Sequence, residues 1–124
     1  MQFIDLQEYC RVKGIDFLST AFDQASLEFL HRDLKLDKLK IPSGELTNAP
    51  FVLGHARTGR DLIVSTGMSD IEDIKAALSV IAFGYLTEAG HADPSTSDFE
   101  KAYSSLEGQD LLAEKVTLLH CTTE

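Results

Sequence analysis

The chain is short of basic residues, which argues against one broad class of function. Eleven lysines and arginines stand against 20 aspartates and glutamates, so the formal net charge is −9. Nucleic-acid-binding proteins need a basic patch that neutralises phosphates, and this balance argues against such a role. An anionic ligand would have to be held by a few local cations and backbone N–H groups, against the field of the whole protein.

Cysteines and long apolar runs are also scarce. Cys10 and Cys121 lie near opposite ends of a chain without a secretory signal, so we expect reduced thiols in a cytoplasmic protein, with Cys121 as a small buried group. No apolar run approaches the roughly 20 residues of a membrane-spanning helix. Nothing at the N-terminus resembles a targeting peptide. We therefore expect no membrane partner.

What is present is the composition of one soluble α/β domain. The 124 residues are 44% hydrophobic and 25% charged, which suits a single globular domain with a modest core. Capping boxes are predicted at Ser69–Glu72 and Ser97–Glu100, and glycine stops at Gly14 and Gly59. With the apolar periodicity they predict six helices, which we place at about 3–13, 23–32, 50–58, 69–82, 97–103 and 107–115.

Short apolar runs alternate with these helices and recur at a constant interval. Strands are predicted to begin near residues 15, 38 and 61, at equal spacing, and a fourth begins near 116. Thr20, Ser43 and Thr66 recur at the same spacing, one after another near the ends of these strands. Strands that alternate with helices form a parallel sheet with right-handed connections, so their carboxyl ends share one rim. Four hydroxyl-tipped ends predict an anion-binding rim.

The stretch from 38 to 45 carries the most chemistry at this rim. Lys40 offers a compact cation for a carboxylate or phosphate. Ser43 and the Gly44 N–H add donors, and Glu45 can orient a hydroxyl or move a proton. The alternative is an outward-pointing lysine beside an ordinary turn, and the spacing fits both interpretations.

The number of strands leaves two architectures open. A βα barrel needs eight strands over roughly 250 residues. This chain has four predicted strands, begins on a helix and ends on a strand, so both ends look cut. The chain is either a complete four-stranded open sheet or a segment of a barrel.

Four motifs, each at a strand end, carry a resemblance. They are GIDFLSTAFD at 14–23, KIPSGE at 40–45, STGM at 65–68 and LLHCTTE at 118–124. Together they resemble the N-acetylneuraminate (sialic acid) synthase family, which includes the legionaminate-type synthases, along nearly the whole chain. The resemblance implies a (βα)₈ barrel followed by a small antifreeze-like domain that reaches over the partner's barrel in a homodimer.

On this resemblance, residues 1–124 are an internal segment of a TIM barrel. The segment would hold about four parallel βα units, roughly the third to the sixth, with helices outside and without the antifreeze-like domain. The implied activity joins phosphoenolpyruvate to N-acetylmannosamine, or a related amino sugar, and gives a nine-carbon 2-keto acid and phosphate. The implied cofactor is a divalent metal ion, Mn or Mg, in the parent enzyme. None is expected in this segment, because the family's metal-binding histidines lie on later strands.

The resemblance also implies roles for single residues. Lys40, Thr20 and Ser65 would surround the carboxylate end of phosphoenolpyruvate. Ser43 would hold its phosphate, and Glu45 would face the amino sugar near the carbonyl that is attacked. A lysine and hydroxyls suit a trianion better than a neutral ligand. Lys40 and Glu45 are therefore the predicted catalytic residues.

The remaining polar candidates carry less weight. Thr123 is a predicted substrate-binding residue on the phosphate side, where some family members have an asparagine. The four histidines fit no metal motif. We expect His31, His55 and His91 to be solvent-exposed and His120 to be a hydrogen-bonded residue of the rim.

Three functional hypotheses follow from these patterns. The first is a segment of a synthase, inactive alone because it lacks the metal site. The second is a self-contained, non-catalytic α/β module that binds a phosphorylated metabolite. The third is purely structural: the exposed edges of a half-barrel are unpaired parallel strands, so we expect the isolated chain to form dimers or larger assemblies.

Overall fold

The computed structural model describes residues 2–87 and 93–121. Its elements in chain order are α1 (Gln2–Lys13), α2 (Gln24–Glu28), a π-helical turn (Phe29–Asp33), β1 (Lys38–Ile41), a 3₁₀ turn (Ser43–Glu45), α3 (Ala49–Arg57), β2 (Asp61–Ser65), α4 (Ile71–Leu86), α5 (Thr96–Ser104), α6 (Leu106–Lys115) and β3 (Val116–Leu119). Within these two ranges, every helix is too short or too polar to cross a lipid bilayer.

The three strands form one parallel sheet in the order β1-β2-β3. Lys40 lies opposite Ile63, and Ile63 lies opposite Thr117 on the far side of β2. Helix α3 lies in the connection between β1 and β2, and helices α4 to α6 lie in the connection between β2 and β3. Parallel strands need such crossover connections. The predicted α/β fold with a parallel sheet is therefore confirmed.

Alternation along the strands separates a buried face of the sheet from a partly open one. Leu39 and Ile41 in β1, and Leu62 and Val64 in β2, are at most 1% exposed. They join a core that the helices complete. Lys40 and its neighbours on the other face are only half-buried, because successive side chains of a strand point to opposite faces. Lys40 thus lies on the face of the sheet that the helices do not cover.

Helices α3 and α4 pack closely within the helical layer. A Cβ added at Gly84 of α4 would clash with the Cβ of Ala56 in α3 and come within 3.2 Å of a Leu53 methyl carbon. Only a glycine allows this approach, because any side chain would push the two helices apart.

Two capping boxes form close to the predicted positions but not at them. The Asp70 carboxylate caps α4 by accepting a hydrogen bond from the Asp73 N–H at 2.8 Å, and the Asp73 carboxylate accepts one from the Asp70 N–H at 3.2 Å. Ser95 and Asp98 form the same reciprocal pair before α5. The boxes predicted to begin at Ser69 and Ser97 are therefore misplaced, because the N3 partner is an aspartate in each case rather than a glutamate.

The predicted strand at residues 15–20 is not a strand in the structure. It meets β1 only through an isolated parallel bridge between Thr20 and Lys40. On the other side of β1, Lys40 pairs with Ile63, and a strand at the same spacing would have placed Phe17, not Thr20, opposite Lys40. The bridge thus has a different register from the β1–β2 pair. Within residues 2–87 and 93–121 there are three strands and one bridged segment, where four strands were predicted.

Two long side chains contact the amino end of β2. The Lys115 Nζ donates to the Gly59 carbonyl at 2.9 Å and lies 3.7 Å from a carboxylate oxygen of Asp61. The Tyr85 hydroxyl donates to the Arg60 carbonyl at 2.8 Å, and burial raises the pKa of Tyr85. We call these five residues the amino-end network. It ties α4 and α6 to the turn that precedes β2.

Candidate functional site

Hydrogen bonds join the loops that follow all three strands. The Gly67 N–H, after β2, donates to the Ser43 hydroxyl oxygen, after β1, at 3.1 Å. The Thr66 N–H and hydroxyl both donate to the Leu119 carbonyl at the end of β3, at 3.0 and 2.9 Å. Because the strands are parallel, these contacts lie together at the carboxyl edge of the sheet.

Cys121 completes this edge. Its Sγ lies 3.4 Å from the Ser43 Oγ. The Ser43 hydrogen bond lowers the pKa of the thiol, burial opposes it, and the Gly67 and Thr66 N–H groups and the Ser65 hydroxyl add smaller decreases. The thiol is half-buried in this polar setting rather than enclosed in the core, so the prediction of a small buried group missed its place in the site. We call Ser43, Ser65, Thr66, Gly67 and Cys121 the rim cluster.

The rim cluster has no spare room at its centre. A Cβ added at Gly67 would lie 3.0 Å from the Ser43 Oγ and 3.1 Å from the Cys121 Sγ. Both distances are tighter than ordinary van der Waals contact. A larger residue at position 67 would therefore require Ser43 and Cys121 to shift by a few tenths of an ångström.

Lys40 lies on the same face as Ser65, two residues further back along the sheet. It pairs with Ile63, and Ser65 follows Ile63 by two residues, so all three share a face. Two residues correspond to about 6.6 Å along a strand. Among the residues that the structure describes, no carboxylate oxygen lies within 4 Å of the Lys40 ammonium. Lys40 is thus a half-buried cation below the rim cluster, and no carboxylate in the described part of the chain pairs with it.

Glu45 and Thr20 contact residues outside the rim cluster. Glu45 accepts a hydrogen bond from the Asn48 Nδ2 at 2.8 Å, in an exposed pair at the start of α3. Thr20 is level with Lys40 through the bridge, and it lines a cavity of about 290 Å³ together with Phe3. Thr123 lies outside the described residues. The structure therefore brings Ser43 and Ser65 to one edge of the sheet with Cys121, pairs Thr20 with Lys40 through the bridge, and turns Glu45 toward Asn48.

The histidines divide between core and surface. His55 is 1% exposed, against the prediction, and its Nδ1 lies 2.8 Å from the Phe51 carbonyl oxygen. Burial lowers the pKa of His55, and the Phe51 contact opposes that shift. His31 is half-buried and His120 is exposed, while His91 lies outside the described residues.

The residues needed to hold a metal ion do not come together in the described part of the chain. Within residues 2–87 and 93–121, no three side chains among histidine, cysteine, aspartate and glutamate form a group that could hold one. The donors of the rim cluster are hydroxyls, one thiol and backbone N–H groups, which suit an anion better than a divalent cation.

The parallel sheet carries small polar residues at its carboxyl edge, and proteins of known families share this arrangement. The model of the NeuB family matches residues 1–124. The chain belongs to the NeuB family. The match includes every motif at the strand ends, and it confirms the resemblance drawn from the sequence.

Curated relatives of this NeuB-family chain are synthases by name. A Campylobacter jejuni N,N'-diacetyllegionaminic acid synthase is 34% identical over 111 residues, which are 90% of this chain and 25% of the relative. A Legionella pneumophila protein of the same name is 42% identical over 76 residues, 61% of this chain and 21% of the relative. Human N-acetylneuraminate-9-phosphate synthase is 31% identical over 80 residues, 64% and 22% respectively. The chain thus spans a fifth to a quarter of the relatives it matches.

Solved structures support the fold. The spore coat polysaccharide biosynthesis protein SpsE of Bacillus subtilis superposes with a TM-score of 0.69 at 24% identity, over 98% of this chain and 26% of the other. A sialic acid synthetase from Leptospira borgpetersenii gives a TM-score of 0.64 at 19% identity, over 98% of this chain and 52% of the other. The α/β architecture of the NeuB-family chain is therefore that of a part of these larger chains.

Proposed function

We propose that the chain is part of a cytoplasmic, homodimeric synthase that joins phosphoenolpyruvate to N-acetylmannosamine, or a related amino sugar. The products are a nine-carbon 2-keto acid and phosphate. Family membership and the names of the relatives support a sialic-acid-type synthase. The observation that carries the proposal is the rim cluster, with Lys40 below it on the same sheet face. It is a small polar site for an anion in a protein of net charge −9.

Lys40 would neutralise the carboxylate end of phosphoenolpyruvate. None of the described carboxylates pairs with this lysine, so it could take an external anion on the half-covered face, and a compact ammonium suits one carboxylate. Thr20 and Ser65 share that face and would donate hydroxyl hydrogen bonds to the same group. The ligand would then lie along the open face of the sheet with its phosphate toward the rim.

Ser43 would hold the phosphate. Its oxygen already accepts the Gly67 N–H at 3.1 Å, which leaves the hydroxyl proton available for a phosphate oxygen. The thiol of Cys121 is the competing partner of that proton at 3.4 Å. Thr123 would add a donor on the phosphate side.

Glu45 would act at the amino sugar. In the structure its carboxylate accepts from Asn48, in an exposed pair, so it could exchange that bond for a sugar hydroxyl at little cost. At that position a carboxylate can orient a hydroxyl or move a proton near the reacting carbonyl. The divalent metal ion, Mn or Mg, would bind in parts of the parent enzyme outside the described residues.

The isolated chain provides the first test. We expect no phosphate release from phosphoenolpyruvate and N-acetylmannosamine with Mn²⁺ present. Calorimetric titration of phosphoenolpyruvate should show binding that Lys40→Ala weakens at least tenfold. Lys38→Ala is the matched control, because Lys38 is an exposed lysine two residues earlier on the same face. Equal binding by both variants would refute the assignment of Lys40, and phosphate release by the isolated chain would refute its dependence on a larger parent.

The titration alone does not separate this proposal from the alternative of a non-catalytic module. Lys40-dependent binding of phosphoenolpyruvate by the isolated chain is expected of a synthase segment and of a self-contained module alike. A protein that continues this chain to the length of its relatives then decides between the two. Synthase activity there, reduced about 10²–10³-fold by Lys40→Ala, would support the proposed synthase.

A further inference from the structure

Thr66 contacts one backbone carbonyl twice. It follows β2 directly, and both its N–H and its hydroxyl donate to the Leu119 carbonyl at the end of β3, at 3.0 and 2.9 Å. Ser65 and Leu119 form the last pair of the β2–β3 register, so these bonds begin one residue beyond that pair. Thr66 is only 7% exposed. The double contact is therefore an enclosed connection between two neighbouring loops.

The hydroxyl of Thr66 is not needed to satisfy the Leu119 carbonyl. That carbonyl already accepts the Thr66 N–H, and a backbone carbonyl is satisfied by one partner. Valine has the same branched shape as threonine and a high preference for strands, and it would bury no hydroxyl here. What the second bond adds is direction. One donor leaves a carbonyl free to turn about the bond, whereas two donors fix the plane of the peptide that follows Leu119.

That peptide leads to Cys121, whose thiol meets the Ser43 hydroxyl. The Cys121 Sγ lies 3.4 Å from the Ser43 Oγ, which also accepts the Gly67 N–H at 3.1 Å. Gly67 follows Thr66 directly, and Cys121 follows the carbonyl partner of Thr66 by two residues. Both contacts on the Ser43 hydroxyl thus come from segments that Thr66 holds together.

We propose that Thr66 is a positioning residue of the rim cluster. Its hydroxyl fixes the peptide after Leu119, and that peptide places Cys121 against the Ser43 hydroxyl. In the proposed function Ser43 would hold the phosphate of phosphoenolpyruvate, so Thr66 acts on phosphate binding without touching the ligand. The effect on phosphate binding rests on the proposed function, whereas the placement of Cys121 does not.

Thr87 offers a matched control away from the rim cluster. Its N–H and its hydroxyl also donate to one carbonyl, that of Phe83, at 3.0 and 2.7 Å. Thr87 ends α4 two residues after Tyr85, whose hydroxyl contacts the turn before β2. Thr87→Val therefore removes the same kind of second bond, but at the end of a helix and not between the loops of the rim.

The test is the rate at which iodoacetamide alkylates Cys121 in the full chain, followed by peptide mass spectrometry. The Ser43 hydrogen bond lowers the pKa of this thiol, so a looser contact reduces the thiolate fraction and slows alkylation. Thr66→Val should slow it about twofold at pH 7.5. Thr66→Ser keeps the hydroxyl and should restore the wild-type rate, and Thr87→Val should not change it. In a Ser43→Ala background, Thr66→Val should have no further effect, because the contact that it loosens is already gone.

The outcomes separate positioning from a general loss of stability. Circular dichroism must show the native helix content in each variant, and Thr66→Ala replaces Thr66→Val if the valine variant does not fold. An unchanged or faster rate in Thr66→Val would overturn the proposal. Equal slowing by Thr87→Val, or undiminished slowing in the Ser43→Ala background, would also overturn it.

Calorimetric titration of phosphoenolpyruvate tests the effect on binding. Thr66→Val should raise the dissociation constant about threefold, and Thr66→Ser should restore it. Equal constants for Thr66→Val and wild type would overturn the role in phosphate binding. A wild-type chain that binds no phosphoenolpyruvate would count against the proposed function, while the alkylation rates, which involve no substrate, would still decide whether Thr66 positions Cys121.

Discussion

The two ends of the sheet are stabilised by different kinds of side chain. At the amino end, Lys115 and Tyr85 reach across to backbone carbonyls from separate helices. At the carboxyl end, Ser43, Gly67 and Cys121 touch directly, and a single added carbon would crowd them. Long side chains can readjust when a neighbour moves, whereas small residues in contact cannot. The end that would bind a ligand is therefore the end with fixed geometry.

The largest effect should come from adding one carbon at the carboxyl end. Gly67→Ala would place a Cβ 3.0 Å from the Ser43 Oγ and 3.1 Å from the Cys121 Sγ. Such overpacking should lower the free energy of unfolding by about 1–3 kcal/mol in urea denaturation. Gly44→Ala is the control, because its Cβ would meet nothing within 4 Å. Equal effects of the two substitutions would show that the rim is less tightly fixed than the contacts indicate.

At the amino end, a larger change of side chain should cost less stability. Lys115→Met removes the hydrogen bond to Gly59 and the ion pair with Asp61 while keeping most of the aliphatic stem. We expect the free energy of unfolding to fall by about 1 kcal/mol. Lys101→Met, at an exposed position of α5, should change it by less than about 0.5 kcal/mol. If Lys115→Met lowered the free energy of unfolding more than Gly67→Ala, the contrast between the two ends would be wrong.

The chemistry of the rim can be followed through Cys121 without any ligand. Since the Ser43 hydrogen bond lowers the pKa of this thiol, Ser43→Ala should raise it and reduce the thiolate fraction at pH 7.5. We expect alkylation of Cys121 by iodoacetamide to slow about threefold. The rate at Cys10, measured in the same sample by peptide mass spectrometry, should stay constant. Faster alkylation of Cys121 in the variant would mean that Ser43 mainly shields the thiol.

The smallest effect at neutral pH should come from the helical layer that both ends share. Burial lowers the pKa of His55 below its unfolded value of about 6.5, so the folded state takes up this proton less readily than the unfolded state. Stability should therefore be constant near pH 7.5 and fall as the pH drops below about 6.5. His55→Gln should flatten this part of the profile in urea denaturation. An unchanged acid slope would assign it to other groups.

Much of the fold could be predicted because it depends on local signals. The equal spacing of the apolar runs correctly placed β1 and β2, and the apolar run after Lys115 placed β3. The same spacing failed at residues 15–20, because strand pairing depends on register, and the Thr20 bridge has a different one. His55 could have been found, since it follows Phe51 by four residues on the buried stripe of α3.

The candidate site was predictable only in part. Ser43 and Ser65 end predicted strands, and the structure brings both to one edge. Cys121 was missed as a member, because its partner Ser43 lies 78 residues earlier in the chain. Only the order of the strands in space brings their loops together. The orientation of Glu45 toward Asn48 likewise depends on a turn conformation that residue types alone do not determine.

The close approach of α3 and α4 has a consequence for how this family can vary. Position 84 can gain a methyl group only if position 56 gives one up, since the two Cβ atoms would overlap. Gly84→Ala should therefore be tolerated together with Ala56→Gly and be harmful alone. Among natural variants the two positions are expected to covary, because the neighbouring helices share a space of fixed volume at this contact.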